Sequence, residues 1–409
     1  MPGQLDGSSR AENLVIRGRH LSKAYGLTRR QAAVALAADD PAQAVAKAGG
    51  FLGVHDISFD VRHGEVFVVM GLSGSGKSTL LRMINRLNEP SAGEVLIDGE
   101  DISNVPGSRL RHIRNHEMGM VFQHFSLFPH RSVRENAAYG LKVRGLGKKE
   151  RLERADHALQ RVGLADHGDR LPRELSGGMK QRVGLARALA IDPPILLMDE
   201  PFSALDPLIR RDMQDLLLKL QMEDSRTTVF VTHDLNEAMR IGDHVMVMRD
   251  GQVVQVGAGA EIVSSPADDY VSEFVADVDR ARVLTAGDLV RPARIAFAID
   301  EHPRSALGTL GDNEANAAFV VDDRGCLLGI VSDQDLVTAG RKPDVDLRDV
   351  ITDDYHQVAP EDLIADIMHL AGRQSVPLTV VDAQGRLVGV VPRAVILSTL
   401  SNIHGETRV

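Results

Sequence analysis

Cysteine is almost missing from this 409-residue chain: Cys326 stands alone. That excludes an intrachain disulfide framework and fits a reducing compartment. No apolar run approaches the roughly 20 residues needed to cross a bilayer, and the first residues lack the apolar core of a secretion signal. A basic excess is absent as well. The formal net charge is −10, and because phosphate backbones select basic surfaces, nucleic acid is not expected as a partner. Nor is a basic face evident for direct binding to anionic lipid. The expected location is the cytoplasm, or a membrane surface reached through a partner.

What is present is the composition of a globular protein, 43% hydrophobic and 25% charged, with a length that at roughly 100 to 200 residues per domain suggests two or three domains. Residues 1–12 read as a disordered start. The stretch Met70 to Leu81, M-G-L-S-G-S-G-K-S-T-L-L, organises much of the rest. Val66 to Met70 is an apolar run that predicts a buried strand; Gly71, Gly74 and Gly76 make a loop; a helix follows from Ser78 until Asn88-Glu89-Pro90 stops it. Gly71 to Ser78 fits G-x-x-x-x-G-K-S/T, in which backbone amides close around phosphates, Lys77 meets the outer phosphates and the Ser78 hydroxyl reaches Mg²⁺. The helix N-terminus adds a favourable partial charge.

Upstream, a strand from Leu14 toward Tyr25 is followed by an Ala-rich piece, residues 27–50, read as two short helices separated at Pro41, before strand character resumes at Val54. Downstream, Gly93 to Gly99 and Met118 to Phe122 predict strands, and Gln123 follows the second, where an amide could ligate Mg²⁺ or water. In Leu175-Ser-Gly-Gly-Met-Lys-Gln-Arg182, Ser176 is a good N-cap, Gly177 and Gly178 allow close approach to an anion, and a strong helix runs from Met179 to Ala190. Ile195 to Met198 reads as a strand buried on both faces that delivers Asp199 and Glu200, a carboxylate for Mg²⁺ and a second to polarise water. Ser203-Ala-Leu-Asp206 follows at once, and the strand Thr228 to Thr232 ends at His233, which can donate to developing charge.

In order and spacing, these motifs resemble the nucleotide-binding subunit of an ABC transporter, over about residues 13–275: Walker A, a Q-loop at Gln123, the L-S-G-G signature, Walker B, the S-A-L-D loop and a switch histidine. The resemblance implies an α/β fold, a P-loop NTPase core of RecA type with a β-subdomain and a helical subdomain (124–190). It implies Mg²⁺ and ATP as cofactors, with Gly71, Ser73, Gly74, Ser75, Gly76, Lys77, Ser78 and Thr79 around the phosphates and Tyr25 stacked on adenine. Ser176, Gly177, Gly178 and Asp206 would reach ATP held by a second copy. Ser78, Gln123 and Asp199 would serve the metal, Glu200 would be the general base, and His233, Gln123 and Lys77 would complete the catalytic set. One set of motifs per chain implies a homodimer.

Longer strings, M-G-L-S-G-S-G-K-S-T, L-S-G-G-M-K-Q-R-V-G-L-A-R-A-L-A, M-D-E-P-F-S-A-L-D-P-L-I-R and H-D-L-N-E-A-M-R-I-G-D, are similar to the ATPase of glycine betaine/proline betaine uptake systems. That implies an importer subunit on the cytoplasmic face of the membrane, partnered by an integral-membrane permease and a periplasmic or lipoprotein substrate-binding protein. Choline and carnitine are neighbouring substrates. The apolar segment 123–135, with Phe125, Leu127, Phe128 and Pro129, would form the permease groove. A soluble ABC ATPase acting on DNA or ribosomes is the rival; the roughly hundred residues between Walker A and signature show no heptads, and there is one cassette rather than two.

Past a connecting segment at 270–278, Ala318-Phe-Val-Val-Asp-Asp-Arg-Gly-Cys-Leu-Leu-Gly-Ile-Val331 returns as Leu378-Thr-Val-Val-Asp-Ala-Gln-Gly-Arg-Leu-Val-Gly-Val-Val391. Each copy predicts a hairpin with a helix before it, a β-α-β-β-α unit that should pack on its twin. The pair resembles tandem CBS domains, 279–341 and 342–403, with a tail at 404–409. Ser332 and Asp335 match the family's ribose contacts for an adenine or cyclic nucleotide; Pro392 and Val395 replace them in the second copy. A dimerisation module without ligand is the alternative.

Overall fold

The computed structural model describes residues 13–123, 126–313, 315–341, 345–372 and 376–401. The expectations for residues 1–12, Phe125, the 404–409 tail and the ends of the second repeat at 342–344 and 402–403 lie outside the described residues. The chain divides into two compact units, with the boundary between Val275 and Ala276.

The first unit holds two sheets. In one, β1 (Leu14–Tyr25) and β2 (Phe51–Arg62) pair antiparallel. The other is built on β3 (Val66–Met70). Next come β4 (Ala92–Ile97) and β5 (Glu100–Asp101), which complete the first sheet in the order β2-β1-β4-β5. Then β6 (Met118–Val121), β7 (Ile195–Asp199), β8 (Thr227–Thr232), β9 (His244–Arg249) and β10 (Gln252–Gly257) give the second its order, β10-β9-β3-β8-β7-β6. Pairings from β9 through β6 are parallel; β10 runs antiparallel at one edge. Every residue of β3, β7 and β8 is buried, which is why these strands read as unbroken apolar runs. Phe67, Val69, Leu197 and Val229 pack with Leu80, Leu81 and Ile84 of the P-loop helix (Lys77–Ile84) in one core.

That helix is shorter than its stop signal predicts. It caps at Asn85, and Arg86 takes a left-handed turn, φ 54°. The Ala-rich piece forms the two expected helices, Arg29–Leu36 and Pro41–Lys47, and Pro41 begins the second at its first position, where a missing N–H costs nothing. The expected connecting segment is partly helical: Asp269–Val275 buries Val271 and Val275 within the first unit, and Arg249 lies 4.9 Å over the Tyr270 ring. Among the described residues no helix is long and apolar enough to cross a membrane.

In the second unit β11 (Ala296–Ala298), β12 (Ala317–Val321) and β13 (Leu327–Ser332) form one sheet. A second is formed by β14 (Gln357–Val358), β15 (Leu378–Val381) and β16 (Leu387–Val391). Each is a parallel pair followed by the hairpin seen in the sequence. The segment leading into each repeat bonds the other: Arg291 exchanges two 2.8 Å hydrogen bonds with Val390, and Thr352 pairs with Ile330. Neither repeat can therefore complete its sheet alone.

Candidate active site

Four strands end at one place. The loop after β3, Gln123 beyond β6, Asp199 and Glu200 at β7 and His233 beyond β8 all sit at the carboxyl edge of the parallel sheet, where open α/β sheets bind ligands. The loop itself needs glycine: Gly76 has φ 96°, and a Cβ there would stand 2.6 Å from the Gly53 carbonyl. Ser75 is buried, and its Oγ has no hydrogen-bond partner. An orphaned hydroxyl inside a loop of amides suits a phosphate oxygen.

Lys77 is 4% exposed; its Nζ donates to the Gly71 and Leu72 carbonyls, both at 2.9 Å, and lies 3.9 Å from Glu200 Oε1. Burial lowers the Lys77 pKa, and the Glu200 and Asp199 charges oppose that shift. Ser78 Oγ donates to Asp199 Oδ1 at 2.6 Å, and Arg82 reaches Asp199 Oδ2 at 3.1 Å. A hydroxyl and a carboxylate set together supply the hard oxygens that Mg²⁺ takes beside substrate phosphates. Among the described residues no group of three or more His, Cys, Asp or Glu forms a cage.

Glu200 is the hub. Its Oε2 accepts from Gln123 Nε2 at 3.4 Å and lies 3.0 Å from His233 Nδ1. Its backbone is left-handed, φ 43°, held by Glu200 N donating to Val231 O at 3.0 Å and Ser203 Oγ donating to Glu200 O at 3.0 Å. A non-glycine residue kept in that region is strain of the kind found at working sites.

The structure thus brings Gln123, Lys77, Ser78, Asp199, Glu200 and His233 together. Ser176 instead caps its own helix, Gly177–Ala190, its Oγ accepting from Met179 N. Gly177 starts that helix, and Gly178 lets it pack, since a Cβ there would stand 2.4 Å from Ile209 Cγ2. Asp206 caps the helix Pro207–Asp224. Tyr25 does lie beside the P-loop helix: its hydroxyl is 3.1 Å from Thr79 Oγ1 and accepts from Asn88 Nδ2 at 2.9 Å. Ser332 and Asp335 form a capping box, their side chains joined at 2.6 Å. A cavity of about 540 Å³ in the second unit is lined by other residues, among them Arg291, Arg294, Phe319 and Val390. Arg82 escaped sequence reasoning, because the Asp199 carboxylate it reaches lies 117 residues further along the chain.

A strand–P-loop–helix with a Walker B carboxylate pair and a histidine facing it defines an ATP hydrolase, and comparison with known proteins specifies which. The model of the ABC transporter family matches residues 54–203, and that of the CBS domain matches 286–342 and 347–402. The chain is 44% identical to the glycine betaine transport ATP-binding protein of Bacillus subtilis, over 94% of this chain and 92% of that one. Similar values hold for a glycine betaine/carnitine transport ATP-binding protein of Listeria monocytogenes, 46% over 86% and 89%. The glycine betaine/proline betaine protein of Salmonella typhimurium gives 44% over 89% and 92%. Among solved structures, a dimeric bacterial ABC transporter cassette superposes with a TM-score of 0.51 at 34% identity, covering 59% of this chain and 98% of that one. A post-hydrolysis state of an ATP-binding cassette bound to ADP and phosphate gives 0.51 at 33%, with the same coverage. This chain belongs to the ABC transporter family. Within it, it is an ATP-binding subunit of the betaine-type group, with a C-terminal CBS pair.

Proposed function

We propose that the protein works as a homodimer that hydrolyses ATP to power uptake of glycine betaine/proline betaine-type osmoprotectants through an integral-membrane permease, with a substrate-binding protein delivering the solute outside. The observation that carries this is identity of 44% across 94% of the chain to a glycine betaine transport ATPase, together with a complete set of groups around Glu200. Lys77 and the loop amides hold the phosphates, and Ser78, Asp199 and Gln123 place Mg²⁺, which supplies neutralising charge. Glu200 takes the proton of the attacking water, and His233 beside it stabilises charge on the phosphoryl group. Ser176 and Asp206, which cap their own helices, and Gly177 and Gly178 serve the ATP of the partner copy. The segment 123–135 receives the permease, so closure on ATP moves the membrane domain.

Uptake of labelled glycine betaine and choline in cells with and without this subunit tests the reading; loss of neither would overturn it. The dimer is tested by light scattering of the Glu200→Gln protein with Mg²⁺ and ATP. A mass that stays monomeric would sink it.

A further inference from the structure

We infer that Phe51 is a second base-binding residue of the ATP site, a partner to Tyr25 across the neck of the Ala-rich insertion; the inference rests on the ATPase reading above. Tyr25 and Phe51 are the last register partners of β1 and β2. Directly opposed residues of antiparallel strands project from the same face, their Cβ atoms about 4.5–5.5 Å apart. Which face is fixed by three contacts. The Tyr25 hydroxyl reaches Thr79 of the P-loop helix at 3.1 Å. A Cβ on Gly53 would meet the Tyr25 ring at 2.9 Å, and the Gly53 carbonyl is the atom that forces glycine at Gly76. On the other face Ala24 and Leu52, the adjoining pair, join Ala32, Ala35 and Val45 in the insertion's own small core.

Alternation along the strands therefore puts the insertion on one side and both rings on the side of the phosphate loop. Tyr25 is held there by Thr79 and Asn88, with the Lys23 ammonium 5.2 Å from its ring centre. Phe51 is 65% exposed and takes no part in the insertion core. A single exposed hydrophobe is ordinary; one paired with an aromatic anchored to the P-loop helix is a surface that a purine would bury. The insertion acquires a purpose in turn, since its packing on Ala24 and Leu52 holds the strand ends that carry the two rings.

The test compares the full-length protein with Phe51→Ala and Phe51→Tyr, measuring affinity for ATP and, separately, for inorganic tripolyphosphate, which has no base. Phe51→Ala is expected to weaken ATP roughly 5- to 150-fold, the range a lost base–aromatic stack gives. Tripolyphosphate affinity should be unchanged, and Phe51→Tyr should restore ATP. Equal ATP affinity in Phe51→Ala and the parent would overturn the inference, and so would equal weakening of both ligands. A parent protein that bound neither would overturn the ATPase reading along with it.

Discussion

At the scale of single residues, the site is an argument about where charge can be kept. Asp199 is 1% exposed, and its carboxylate is carried by the Ser78 hydroxyl and by Arg82, so it is available to a metal without being a bare buried ion. Glu200 is treated differently. It sits in a left-handed turn, meeting Gln123 and His233, and Lys77 stands off at 3.9 Å rather than closing a tight ion pair. A carboxylate with an amide and an imidazole beside it is placed to accept a proton. Glu200→Gln removes the proton-accepting carboxylate while keeping the side chain's size, so ATP binding should persist and steady-state phosphate release should slow on the order of 10²- to 10⁴-fold. Turnover equal to the parent would take Glu200 out of that role.

At the scale of elements, the motifs legible in the sequence were those whose chemistry is local. The P-loop, the strand before Asp199 and the hairpins at Ala318 and Leu378 each state their geometry within about a dozen residues. Arg82 on Asp199, Asn88 on Tyr25 and the exchange of leading segments between the two repeats join positions far apart in the chain, and no local pattern encodes them. Ser332 and Asp335 show a different limit: their S-x-x-D spacing fits a ribose contact and a helix cap equally, and the structure shows the cap. Glu237 was equally hidden. On the short helix Leu235–Ile241 it is 4% exposed and accepts from Gln214 Nε2 at 3.1 Å. Burial raises the Glu237 pKa, with hydrogen bonds from Thr232 and Gln214 opposing. A raised folded-state value means that its stabilising contribution is whole below the unfolded value, near 4.3, and is lost as pH rises through the folded value. Glu237→Gln should therefore raise the melting temperature at pH 8, by about 1–4 °C, and the gain should shrink toward pH 5. A gain of the same size at both pH values would mean that charge burial is not its cause.

At the scale of the whole molecule, each unit has a core of its own: Phe67, Leu81, Leu197 and Val229 in the first, Phe297, Leu310, Val320 and Leu336 in the second. Units with separate cores can melt separately. All the groups that would meet ATP phosphates belong to the first unit, whereas the described residues that line the second unit's cavity, such as Ile295, Pro377 and Val390 beside Arg291 and Arg294, offer no side-chain oxygen for a ribose. Ligand binding raises the stability only of the unit that binds it, by RT ln(1 + [L]/Kd). Calorimetry of the full-length Glu200→Gln protein, in which ATP persists, should accordingly show two transitions. With Mg²⁺ and ATP at about 100 times Kd, one should rise by roughly 5–10 °C while the other stays in place. Movement of both would place an adenine nucleotide in the tandem repeats as well.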